Sequence, residues 1–278
     1  MNGPGAVRAG DRASDPARPP GVHLVVGATG ATGKLLVTEL LARGERVRAL
    51  VRRAEGLPEA LRGDPRVEVI EGSILGLGDA GLAPLVDGCG AVASCLGHTL
   101  SLRGVFGPPR RLVTDSVRRL CAAIRAGRPA SPVRFVLMNT AGNANRDLKE
   151  PRTPGERLAL ALIRQLVPPH ADNEEASEVL RTGVGPGDPA IEWAIVRPDT
   201  LVDVPGSAGF IAHASPTRSP IFDAGRTSRR NVARFMAGLM TDDATWRLWK
   251  GRMPVIYDEG WDGRESSDRD LESRRRGG

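Results

Sequence analysis

Apolar positions in this chain fall into short runs separated by amphipathic stretches. Val22, Leu24, Val25 and Val26 make a first run of strand type. Leu35, Leu36, Leu40 and Leu41 then recur at helical spacing across 34–43, and Gly44 supplies a stop. Further strand-type runs lie at 47–51, 67–70, 91–96, 133–138 and 193–196. Between them, 80–86, 113–126, 154–166 and 173–180 read as helices. On 113–126, Val113, Val117, Leu120, Cys121 and Ile124 share one face, and Gly127 ends the segment. This alternation predicts an α/β protein with a doubly wound parallel sheet.

The pattern changes after Pro198. Residues 199–224 are rich in Gly, Pro, Ser and Thr and carry no clear period. They are expected to be irregular and to lie over the carboxyl ends of the strands, where such sheets bind ligands. A helix at 228–240 follows, then Trp246 to Trp249, then a last strand at 254–257. The resulting organisation is one domain over 21–262 with a substrate-side extension from about 199. Residues 1–20 and 263–278 are charged and poor in apolar side chains, and both are expected to be disordered tails.

Composition narrows the function classes. Hydrophobic residues make up 40% of the 278, enough for a packed core. An aromatic content of 4% argues against a stacking platform for single-stranded nucleic acid. No apolar run is long enough to span a membrane, and 1–20 has no apolar core of the signal-peptide kind. Cys89, Cys95 and Cys121 are too scattered for a disulfide framework or a metal knuckle. They read as reduced, buried thiols of a cytoplasmic protein, with Cys95 inside a strand. The net charge is +6, and Arg274, Arg275 and Arg276 end the chain in a basic cluster that reads as solvated tail. The expected partner is a small-molecule substrate, with the chain acting as a monomer or a homodimer.

The chemistry begins directly after the first strand, at Gly27-Ala28-Thr29-Gly30-Ala31-Thr32-Gly33. A tight strand-to-helix turn needs backbone angles that glycine tolerates. A position without Cβ lets a pyrophosphate approach the main chain, and the amides that open the next helix face the phosphates. Three glycines alone mean little. Placed between an apolar run and an amphipathic helix, they predict a Rossmann-type dinucleotide site. Gly27, Thr29, Gly30, Ala31, Thr32 and Gly33 are its first candidate residues.

The end of the second strand bears on which dinucleotide binds. An acid there serves the ribose 2′-hydroxyl, whereas an arginine accommodates a 2′-phosphate. The chain reads Leu50-Val51-Arg52-Arg53, with no acid before Glu55. Arg52 and Arg53 are therefore candidates for the 2′-phosphate, since a guanidinium grips phosphate with paired donors. NADP(H) is the expected cofactor.

Four segments together carry a family resemblance. They are Val25 to Gly33, Ala49-Leu50-Val51-Arg52, Glu71-Gly72-Ser73-Ile74 and Val92-Ala93-Ser94-Cys95-Leu96-Gly97. They resemble the atypical short-chain dehydrogenase/reductase superfamily, nearest to the flavin reductase/biliverdin-IXβ reductase and NmrA-like groups. The resemblance runs over about 22–257 and is sharper in the nucleotide half. It adds Leu96 and Gly97 to the cofactor contacts. Where many relatives carry Gly-Asp, this chain has Gly72-Ser73.

The superfamily's common catalytic device is Tyr-x-x-x-Lys. This chain has one tyrosine, Tyr257, and three lysines, and nowhere combines them in that spacing. The resemblance instead puts Thr140 beside the nicotinamide, as a contact to the carboxamide or a substrate oxygen. A turn residue capping the strand end is the alternative. His170, just before the helix expected at 173–180, is a candidate proton donor. Asp172 and Asn173 are expected to cap that helix. Arg197-Pro198 matches an Arg-Pro the superfamily places near the nicotinamide, with Arg197 structural. Three readings share such a site: an NADPH-dependent oxidoreductase reducing a conjugated or aromatic acceptor such as a flavin or quinone, a non-catalytic NADP(H)-binding redox regulator, and a redox-neutral isomerase.

Overall fold

The computed structural model describes residues 7–8, 21–98, 107–148, 150, 152–204 and 209–260. Its centre is a nine-stranded sheet. The first strands alternate with helices: β2 (Val22–Val26), α1 (Ala31–Ala42), β3 (Arg46–Val51), α2 (Glu59–Arg62), β4 (Val67–Glu71), α3 (Asp79–Val86) and β5 (Cys89–Ser94). Then come α4 (Leu112–Gly127), β6 (Val133–Met138), α5 (Pro154–Leu166), α6 (Pro168–Glu178), a π-helical turn at Val179–Val184 and β7 (Ile191–Pro198). The strands run β4-β3-β2-β5-β6-β7 through parallel pairs, and β11 (Val255–Asp258) adds to β7, also in parallel.

Successive side chains of a strand point to opposite faces, so each central strand feeds two cores. Val25, Ala49, Ala93 and Val136 face α1 and α7 (Arg229–Thr241), packing with Leu36, Leu40, Phe235 and Trp249. Leu24, Val26, Val92 and Phe135 face α3 and α4, packing with Leu82, Leu120 and Ile124. Burial on both faces explains why these strands read as continuous apolar runs.

The extension is more ordered than its sequence implies. Thr200–Val202 (β8) pairs in parallel with Arg226–Ser228 (β10), and Phe210–His213 (β9) lies antiparallel to β11. Ser228 caps α7 by accepting the Asn231 amide at 3.2 Å. Trp246 to Trp249 belong to α8 (Asp243–Trp249). Residues 1–20 are also not wholly without structure: Val7–Arg8 forms a short strand, β1, antiparallel to β9. The tail at 263–278, its arginine cluster and Trp261 lie outside the described residues. Among the described residues no helix is long and apolar enough to cross a membrane.

Candidate functional site

The strand order reverses between β2 and β5, which opens a crevice at their carboxyl ends. Gly27 makes the turn there with φ +81°, and a Cβ on it would lie 2.8 Å from the Cys95 carbonyl. Gly33 brings α1 against that turn, since its Cβ would fall 2.1 Å from the Gly27 oxygen. Gly30 donates its amide to the same oxygen at 3.0 Å. A Cβ on Gly30 would meet only that oxygen, at 3.2 Å, so its outer side is clear. No side chain caps α1 and no acid occupies its first turn. Its opening amides and the positive end of its dipole are thus available to an anion.

A cavity of about 920 Å3 lies over this turn. Gly27, Thr29, Gly30, Arg52, Leu96 and Gly97 all line it, as does Ser73. Thr32 and Gly33 are buried behind the loop, where they pack rather than face the cavity. Ala31 is exposed at the helix start and Arg53 is exposed before a short 3-10 turn; neither belongs to the wall. The cradle fits a dinucleotide: a Cβ at Gly27 would collide with the facing strand, Gly30 leaves the approach open, and one arginine stands at the second strand's end.

The opposite end is built by β5, β6 and α6. His98, directly after Gly97, lines the cavity and places Nε2 2.8 Å from Asp172 Oδ2. The Asp172 carboxylate also accepts the amides of Val113 at 2.8 Å and Thr114 at 2.9 Å. Asp172 therefore does cap a helix, but not its own. Helix α6 begins at Pro168, five residues before the expected start at 173, because Pro168 and Pro169 suit a first helical turn. Asp172 is thus inside α6 and caps α4 across the structure. Asn173 is likewise inside α6, and its carbonyl accepts Asn139 Nδ2 at 2.8 Å. His98 escaped the sequence reading. Its signal was a titratable side chain beside a glycine at a strand's carboxyl end.

Thr140 and His170 are brought together. A Cβ on Gly142 would meet His170 Cε1 at 3.3 Å and Thr140 Oγ1 at 3.7 Å. The Thr140 hydroxyl accepts the Gly142 amide at 3.3 Å, a turn bond at the end of β6. His170 lies in the first turn of α6, with Nε2 3.5 Å from Glu174 Oε1. Neither Thr140 nor His170 belongs to the wall of the nucleotide cavity.

A sequence model described as NAD(P)H-binding matches residues 27–243, which span the glycine turn, both ends of the cavity and most of the sheet. The chain belongs to this NAD(P)H-binding family. No protein of curated function matches it in sequence. Several solved structures share its fold. A short-chain dehydrogenase/reductase from Veillonella parvula, in complex with NADP, is 17% identical with a TM-score of 0.62, over 86% of this chain and 95% of that one. An anaerobillin reductase from Escherichia coli is 19% identical with a TM-score of 0.56, over 86% and 98%. A putative NAD-dependent epimerase/dehydratase from Bacillus halodurans is 18% identical with a TM-score of 0.58, over 85% and 94%.

Other polar residues of the NAD(P)H-binding chain serve its frame. Arg197 is fully buried and pairs with Glu150, while its Nε donates to the Met253 carbonyl at 2.7 Å and Nη1 to the Asn143 carbonyl at 2.8 Å. It holds the loop after β6 against β7. Tyr257 packs with Ala141 and Val255, and burial pushes its phenol above the usual range, helped by nearby Asp199. Cys95 lies one residue beyond β5 rather than inside it, donating its amide to the Val26 carbonyl at 2.9 Å. Burial pushes its thiol up to about 12.

Proposed function

We propose that this NAD(P)H-binding protein is an NADPH-dependent oxidoreductase acting on a conjugated or aromatic small molecule, such as a flavin or a quinone. The observation that carries the reading is the position of Arg52. It lines the cavity at the end of β3, where an acid would favour a free ribose hydroxyl, and no ion pair is recorded for it among the described residues. The NADP-bound dehydrogenase/reductase and the anaerobillin reductase of the same fold agree with this choice.

When bound, the reduced nicotinamide supplies the acceptor with a hydrogen and its electron pair. The chain's part is to hold and orient. The α1 amides and Gly30 receive the pyrophosphate, Arg52 the 2′-phosphate, and Leu96 and Gly97 form the wall beyond them. A conjugated acceptor suits a chain without Tyr-x-x-x-Lys, because its charge is delocalised as it is reduced. Thr140 and His170 border the acceptor from the end of β6. The reaction is placed in the cytoplasm, where three buried, unpaired thiols stay reduced.

Titration of purified protein tests the reading. NADPH is expected to bind more tightly than NADH by about tenfold or more, and Arg52→Ala to remove most of that difference. Equal affinities for the two nucleotides contradict the assignment of Arg52. Failure to oxidise NADPH with flavin mononucleotide or a naphthoquinone contradicts the oxidoreductase reading.

A further inference from the structure

His98 and Asp172 stand at the end of the cavity away from Arg52. Strands β3 and β5 flank β2 on opposite sides, and they lead to Arg52 and His98 respectively. A dinucleotide with its 2′-phosphate on Arg52 and its pyrophosphate over α1 therefore runs toward His98. We propose that His98, oriented by Asp172, is the catalytic residue that donates the proton completing reduction of the acceptor. This rests on the oxidoreductase reading above.

The geometry supports a fixed donor. The His98 side chain is only 6% exposed, yet it lines the cavity. An aspartate carboxylate can only accept, so its 2.8 Å contact puts the proton of the neutral ring on Nε2. Asp172 cannot swing away. Its Oδ2 also takes the Val113 amide, its Oδ1 takes the Thr114 amide, and its own carbonyl takes the Thr114 hydroxyl at 2.9 Å. One residue on, the Asn173 carbonyl is tied to Asn139, the neighbour of Thr140. The dyad is thus fastened to α4 and to the end of β6 together. Capping α4 uses the two amide bonds alone. An imidazole on the same carboxylate, turned to the cavity, adds nothing to a cap and is the arrangement by which a carboxylate orients an acid–base histidine.

The step balances. The acceptor gains a hydrogen with an electron pair from the reduced cofactor at one end of its conjugated system. As negative charge develops on a heteroatom at the other end, a bond forms between that atom and the proton on His98 Nδ1. The Nδ1–H bond breaks, leaving a neutral ring with its remaining proton shared with Asp172. Water then restores the lost proton. Two electrons and two hydrogens reach the acceptor, and the cofactor leaves oxidised.

The test uses the full chain, NADPH and flavin mononucleotide. His98→Gln is expected to lower kcat by about 10²-fold, with NADP+ affinity changed by less than about threefold. A readout independent of turnover is the 15N spectrum of the His98 ring in the cofactor-free protein. The neutral ring is expected as the Nε2–H tautomer, with that bias lost in Asp172→Asn. An Nδ1–H tautomer in the wild type overturns the proposal whether or not the variants fold. Wild-type turnover that survives unchanged in His98→Gln overturns it and leaves the oxidoreductase reading standing. A His98→Gln protein that loses NADP+ affinity tenfold or more but keeps kcat at saturating NADPH makes His98 a cofactor contact, which also overturns it. Absence of turnover in the wild type overturns both.

Discussion

Arg197 and Glu150 form a two-pronged ion pair inside the protein, with Nη2 to Oε1 at 2.7 Å and Nη1 to Oε2 at 3.2 Å. Both side chains are essentially shielded from water, at 0% and 3% exposure. Removing one partner leaves the other charge buried and uncompensated. Arg197→Met is expected to destabilise the fold by about 3–5 kcal/mol, read as a lower urea midpoint. An unchanged midpoint shows that the loop after β6 does not depend on this pair.

The glycines of the phosphate turn are expected to separate folding from binding. At Gly33 even a methyl group meets backbone, so Gly33→Ala is expected to cost about 1–3 kcal/mol or more in thermal unfolding. Gly30→Ala has room to fold but narrows the approach to the α1 amides. Its circular dichroism spectrum is expected to match the wild type while NADPH affinity falls about tenfold. Equal stability in the two variants contradicts the packing role of Gly33.

The thiols give a simple check of burial. Desolvation pushes Cys89 up to about 11 and Cys121 up to about 12, alongside Cys95. Only the thiolate reacts, so the native protein is expected to react slowly with Ellman's reagent at about pH 8, near the unperturbed thiol value. Denaturant is then expected to release all three thiols. A stoichiometric burst from native protein contradicts the placement of these side chains.

Glu174 links the candidate site to acid stability. The neighbouring His170 ring, with Arg164 and Arg146, holds its carboxyl below the usual range against the opposing effect of burial. A carboxyl with a depressed value in the folded state stabilises the fold above its unfolded value of about 4.3, and that contribution fades as pH falls toward the folded value. Glu174→Gln is therefore expected to be less stable than the wild type near neutrality, with the gap closing below about pH 4. A gap independent of pH removes the ionic contribution.

What the chain determined by itself lies within single strand–turn–helix units. The run from Val22 to Val26, the glycines at 27, 30 and 33, and the leucines of α1 are close in sequence, so their spacing alone specifies strand, phosphate turn and helix. Arg52 was legible for the same reason, as the first polar side chain after β3. The tertiary structure decided between Arg52 and Arg53, because only the first reaches the cavity wall. It also showed that a segment without periodicity supplies β8 and β9, whose order comes from pairing with distant strands rather than from local propensity. His98 and Asp172 are 74 residues apart, and Glu150 and Arg197 are 47 apart. No periodicity or local spacing links such pairs. They meet because parallel crossovers carry successive strand ends to one side of the sheet, where a side chain finds its partner across the sheet rather than along the chain.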